Sequence, residues 1–132
     1  MVPELFWLIL TTLMTGVLWI PYILQMIKEN GVAKVLKGTD GTPAPKAPWA
    51  VRMKKAHVNA VENLVVFAPL VIIIAMTGAY TAMTAPLAMV YFFARLVHVV
   101  VYTLGIPAVK TVAFIIGSLC QIGLALTLLG FM

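Results

Sequence analysis

Between Leu5 and Ile27 the chain carries no formal charge. About 20 consecutive apolar residues are enough to cross the roughly 30 Å hydrocarbon core of a bilayer as a helix. Three more apolar runs follow, at residues 58–79, 85–104 and 111–131. Such runs leave few choices, because only helices and closed barrels satisfy their own backbone groups in lipid. The expected fold is an all-α integral membrane protein, a four-transmembrane-helix bundle, with 1–132 as one domain. Composition agrees: 63% of the 132 residues are hydrophobic and 10% charged, whereas about 25% of a soluble domain is charged. A chain this short has too little interior to hide that much apolar surface from water. A soluble enzyme, a disordered tail and a disulfide scaffold are excluded. Glu4 is the sole charge ahead of the first run, so the basic opening of a cleavable secretory signal is missing.

The connections are unequal. Residues 80–84 and 105–110 read as tight turns, with Pro86 and Pro107 suited to helix starts. Residues 28–55 form a long loop whose Gly38, Gly41, Pro43, Pro45 and Pro48 predict irregular backbone. Pro21 and Pro69 fall inside spans, where neighbouring helices can satisfy the freed carbonyl. Seven of the nine Lys and Arg lie in the long loop, and Lys110 reaches the same side after two further crossings. Cations concentrate on the cytoplasmic face of membrane proteins, so the long loop is expected in the cytoplasm and both termini outside. The net charge of +5 is therefore a topology signal, and no nucleic-acid partner is expected.

Ionisable groups inside a membrane are costly and call for a partner or a purpose. Asn59, Glu62 and Asn63 share one face of the second span, and Arg95, His98 and Tyr102 share one face of the third. At about 1.5 Å per residue, both faces fall in the cytoplasmic half and can meet. One reading is a structural clamp in which Glu62 neutralises Arg95. The full set, below a basic rim of Arg52, Lys54, Lys55 and Lys110, instead predicts a pocket for a small ligand with carboxylates, held by charge-assisted bonds.

Other features have plainer readings. The eight Met are dispersed gap fillers or lipid contacts. His57 and His98 lack further ligands at metal-site spacing, so no metal is expected. Cys120 has no basic neighbour to activate it. Thr11, Thr12, Thr15 and Gly16, with Gly117, Ser118 and Gly123, are expected to let helices approach closely. Trp7, Trp19 and Trp49 suit anchoring near the membrane interfaces.

At these polar residues the sequence resembles the MAPEG family, the membrane-associated proteins in eicosanoid and glutathione metabolism. The segment Arg52-Met-Lys-Lys-Ala-His57-Val-Asn59-Ala-Val-Glu62-Asn63 is similar to the family's R-x-x-R-A-H-x-N-x-x-E. Arg95-Leu-Val-His98-Val-Val-Val-Tyr102, followed by Gly105-Ile-Pro107, is similar to R-x-x-H-x-x-x-Y and a short turn. Length, span number and the long first loop agree across essentially the whole chain. The resemblance implies a homotrimer of four-helix bundles with glutathione, as co-substrate, between neighbouring subunits. By position, Arg52, Lys55, Asn59, Glu62, Arg95, His98 and Tyr102 would bind it. Lys110, Thr111 or Tyr102 would act on the thiol. Lys55 replaces the family's second Arg, and Lys110-Thr111 replaces an Arg-Ser or Arg-Thr, keeping charge but losing the guanidinium fork. The family's first-span arginine has no obvious counterpart, Lys28 being the nearest cation.

The resemblance therefore implies a glutathione-dependent transferase or peroxidase acting on an apolar electrophile or lipid hydroperoxide that enters from the bilayer. The short loops suit a bacterial inner-membrane protein. Two alternatives come from other classes. One is a non-catalytic binding or interaction protein on the same fold, to which the two Lys replacements point. The other is a small four-span multidrug exporter, disfavoured because the first span holds no carboxylate and the charge bias is extreme.

Overall fold

A computed structural model describes residues 1–38 and 44–131. Every regular element among them is helical: α1 (Pro3–Val17), α2 (Trp19–Asn30), α3 (Val32–Leu36), α4 (Pro48–Thr77), α5 (Thr84–Leu104) and α6 (Pro107–Leu128). Four helices are long and apolar enough to cross a membrane: Pro3–Asn30, Pro48–Thr77, Thr84–Leu104 and Pro107–Leu128. The expected four-helix membrane bundle is the fold.

The first crossing is α1 and α2 end to end, interrupted at Leu18. Pro21 explains the break, since it has no N–H to donate to the Val17 carbonyl one turn back. Pro69 makes the same omission inside α4, yet that helix runs through it. With no water to compete for them, the Thr11, Thr12, Thr15 and Thr127 hydroxyls donate to carbonyls four residues back, each at 2.8 Å.

The second helix begins ten residues ahead of the span read from hydropathy at 58, and α2 and α3 occupy the start of the predicted loop. Hydropathy marks where a helix enters lipid, whereas a helix can persist beyond it. At 30 residues, α4 is about 45 Å long, against a core of about 30 Å. Its projecting turns are held by packing: buried Ala50 meets Tyr22 and Met26 of α2, and buried Ala56 meets Leu18. The approach to α4 is tied down by Glu29, whose carboxylate accepts the Lys46 N–H at 2.9 Å and the Ala47 N–H at 3.0 Å. The predicted irregular stretch around Gly41 and Pro43 lies outside the described residues.

All four crossings contribute to the main core of Leu8, Phe67, Val71, Ile74, Ala88, Tyr91, Cys120 and Leu124. The Phe67 and Tyr91 rings stack at 3.8 Å between centroids. α6 lies closely along α5: a Cβ at Gly123 would come within 3.0 Å of Leu87 Cδ1, and one at Gly117 within 3.6 Å of Arg95 Cδ. Gly16, expected to serve the same purpose, has nothing within 4 Å of such a Cβ. At the end of the bundle opposite the basic segments, the buried Glu4 carboxylate accepts a 2.5 Å bond from the buried Thr84 hydroxyl.

Candidate functional site

Antiparallel packing sets the register of the polar residues. Arg52 Nε donates to the Thr103 main-chain oxygen at 2.9 Å, satisfying a carbonyl at the end of α5 that has no partner within the helix. Two turns along α4, Asn59 Oδ1 accepts a 2.5 Å bond from Arg95 Nη2. The α5–α6 turn is as tight as predicted. Gly105 takes φ +78, and a Cβ there would sit 3.3 Å from the Arg52 guanidinium carbon. Glycine thus serves both the backbone conformation and the close approach of Arg52.

These contacts gather most of the expected residues around two adjoining recesses of about 200 Å³ each. One is lined by Asn59, His98, Tyr102, Lys110, Thr111 and Phe114. The other is lined by Arg52, Tyr102, Gly105, Ile106, Pro107 and Lys110. Tyr102 and Lys110 belong to both, and the Lys110 ammonium stands 4.3 Å from the Tyr102 ring centroid. His98 is buried, packed at 5.5 Å between centroids against Tyr102. The Thr111 hydroxyl donates to the Pro107 carbonyl at 3.2 Å. Two cations, an amide, an imidazole and two hydroxyls thus converge at the end of α5. Most of these groups donate hydrogen bonds, so the chemistry of the wall fits a ligand rich in acceptors.

Three expected residues sit elsewhere. Arg95 is 1% exposed and lines neither recess. Lys55 lines a separate recess with Lys54, Val51 and Val58, and both Lys55 and Glu62 are exposed on α4. The Glu62–Arg95 clamp is not formed; Arg95 bonds to Asn59 instead. The expected face of α4 is divided, with Asn59 and Asn63 turned partly inward and Glu62 outward.

Two further connections emerge. Gln121 Nε2 donates to the Asn63 carbonyl at 3.1 Å and lies 3.4 Å from the Tyr91 hydroxyl, tying α6 to α4 and α5. A lone amide in an otherwise apolar span is the signal that could have singled it out. The Tyr22 hydroxyl and His57 Nδ1 share a 2.6 Å hydrogen bond between α2 and α4. Among the described residues, no three His, Cys, Asp or Glu side chains gather as a metal would need.

Fold and site together define a four-span helical membrane protein with a polar, cationic recess between its second, third and fourth crossings. The family model described as MAPEG family matches residues 5–130, nearly the whole chain, and the protein belongs to the MAPEG family. Membership places it among membrane proteins of glutathione and eicosanoid metabolism in general terms. No curated protein and no solved structure matched the chain.

Proposed function

We propose that this protein is a glutathione-dependent transferase or peroxidase working on an apolar electrophile or lipid hydroperoxide delivered by the membrane. The carrying observation is the grouping of Asn59, His98, Tyr102, Lys110 and Thr111 around one recess, with Arg52 in the recess beside it. Glutathione offers two carboxylates to Arg52, Lys110 and the Asn59 amide. The Lys110 ammonium favours the thiolate over the thiol, and the thiolate is the nucleophile. In the transfer reaction its sulfur forms a bond to the electrophilic carbon, and the leaving group departs with its electron pair. In the peroxidase reaction two glutathione molecules give one disulfide, reducing the hydroperoxide to an alcohol and water.

The site is completed between copies of the chain in a homotrimer. Lys55, Val58, Glu62, Val65, Pro69, Ile72 and Met76 are all exposed and recur at alternating intervals of three and four along α4. That is the seam of a helix packing against other helices. A carboxylate facing lipid is costly, and a neighbouring copy would cover Glu62 and carry it, with Lys55, to the glutathione. The long basic segment faces the cytoplasm of a bacterial inner membrane, with both termini outside, as the distribution of cations supports.

The test is calorimetric titration of the detergent-purified oligomer with glutathione, followed by a panel of aryl halides and lipid hydroperoxides. Saturable binding and turnover above the uncatalysed rate are expected. Lys at 55 and 110, where the family has Arg, favours a second reading, a binding protein without turnover. Saturable binding with no product would establish that reading, and no binding by an intact oligomer would overturn both.

A further inference from the structure

Asn59 faces the recess with an amide whose orientation is dictated from behind. A guanidinium has five N–H donors and no acceptor. The Asn59 atom that meets Arg95 Nη2 at 2.5 Å must therefore be its oxygen. The same oxygen is approached by Asn63 Nδ2 at 3.2 Å, and Asn63 Nδ2 is itself anchored by the Asn59 main-chain oxygen at 2.8 Å. Asn63 is held in turn through its carbonyl by Gln121. Two donors thus occupy Asn59 Oδ1, and its Nδ2 has no partner among the described residues.

Arg95 has no other outlet for its charge. It is 1% exposed, its Nε and Nη1 are buried without a hydrogen-bond partner, and its stem is fenced by Gly117 of α6. It does not line the recess that Asn59 lines with His98, Tyr102, Lys110 and Thr111. We infer that Arg95 is a positioning residue: it fixes the Asn59 amide so that the two Nδ2 hydrogens face the recess, which makes that wall select a hydrogen-bond acceptor. An amide free to flip would serve donor and acceptor alike. With Arg95 behind it, Asn59 adds to the donors of the Lys110 ammonium, which lines the same recess. The ligand group seated between Asn59 and Lys110 is an acceptor, whether a carboxylate, an amide carbonyl or the thiolate, and never an ammonium. The glutathione part of this inference rests on the function proposed above.

The experiment titrates the detergent-purified protein and three variants with glutathione. Asn59→Asp keeps an oxygen toward Arg95 but presents a second oxygen to the recess. It should fold and assemble as wild type yet lose about tenfold or more in affinity. Arg95→Lys retains a donor behind Asn59 and should stay within about threefold of wild type, whereas Arg95→Met should lose about tenfold or more. The Asn59 side-chain amide resonance, assigned by its loss in Asn59→Asp, should shift on glutathione addition in wild type. Wild-type affinity in Asn59→Asp or Arg95→Met overturns the inference, as does an amide resonance indifferent to saturating glutathione. If Arg95→Met does not assemble, Asn59→Asp and the resonance decide. If wild type binds no glutathione, the proposed function falls, and the Asn59 carboxamide carbon decides the orientation: its shift must differ between wild type and Arg95→Met while staying near wild type in Arg95→Lys, and an unchanged shift in Arg95→Met overturns the inference.

Discussion

The Lys110 ammonium stands over the face of the Tyr102 ring, 4.3 Å from its centroid. A cation on an aromatic face is favoured by about 0.5–2 kcal/mol. Here the contact joins the start of α6 to the end of α5 and holds the charge where two recesses meet. Because the ring, and not the hydroxyl, holds the ammonium, the two parts of Tyr102 are separable. Tyr102→Phe should leave Lys110 in place, and any loss of activity then belongs to the hydroxyl.

Lys110→Met should remove the charge that favours the thiolate. An opposite charge within about 4–6 Å shifts a pKa by about 1–3 units. Glutathione's thiol pKa in the complex should therefore rise by about one unit or more in the variant. Turnover increases with pH as the thiol ionises, so the midpoint of the pH–rate profile should move upward. At neutral pH the rate should fall by about tenfold. Lys110→Arg should keep the wild-type midpoint. Stopped-flow thiolate absorbance reads the same shift independently of turnover.

Gly105 and Gly78 both close a helix with positive φ, +78 and +67, but only Gly105 has a functional neighbour. Gly78→Ala meets no atom within 4 Å, so it should cost only the left-handed backbone strain, about 1–2 kcal/mol. Gly105→Ala carries the same strain and also places its Cβ 3.3 Å from the Arg52 guanidinium. Both variants should lower the thermal midpoint, while only Gly105→Ala should weaken glutathione binding. Equal affinities would show that the placement of Arg52 does not matter to the ligand.

The contrast between these glycines shows what the sequence discloses. Polar residues in an apolar run stand out because lipid tolerates few of them, so Asn59, Arg95, His98 and Tyr102 could be singled out, and antiparallel crossing brought them together. The rotation of α4 about its own axis could not be read. Asn59 and Glu62 are three positions apart, near enough to share a face by spacing, yet one meets Arg95 and the other is exposed. Hydropathy also hid the first ten residues of α4, whose small inward residues Ala50 and Ala56 give a weak signal beside four ionisable neighbours. Glu4 drew notice only as a charge before the first span; its partner Thr84 is 80 positions away.

The seam on α4 predicts which surfaces of two copies meet. Val65 is 67% exposed near its middle, and Leu119 of α6 is 59% exposed. Cys120, the single native cysteine, is buried, so it should not interfere with engineered pairs. Val65→Cys should form disulfide-linked dimers in native membranes on mild oxidation if the α4 seams of the copies face one another around a common axis, since a disulfide needs Cα atoms within about 7 Å. Leu119→Cys should stay monomeric on the same gel. Cross-linking through position 119 alone would place the contact on α6 and remove the argument that Glu62 is covered by a neighbour.

Glu4 and Thr84 offer a test of stability away from the recess. Both are buried, at 4% and 0% exposure, and their 2.5 Å bond joins the start of α1 to the start of α5. The Thr84 hydroxyl also accepts the Thr81 N–H at 3.1 Å. Thr84→Val keeps the shape but leaves a buried carboxylate oxygen and an amide without this partner, a loss of about 1–3 kcal/mol for an orphaned buried group. Thr84→Ser should restore most of it. Glu4→Leu combined with Thr84→Val should lose less than the two single changes together, since the double variant strands no carboxylate. Thermal unfolding in detergent measures all four. Glutathione affinity should be unchanged throughout, because the pair lies at the far end of the bundle from Lys110. A drop in affinity that tracks the loss of stability would mean that the ends of the bundle are coupled through α5.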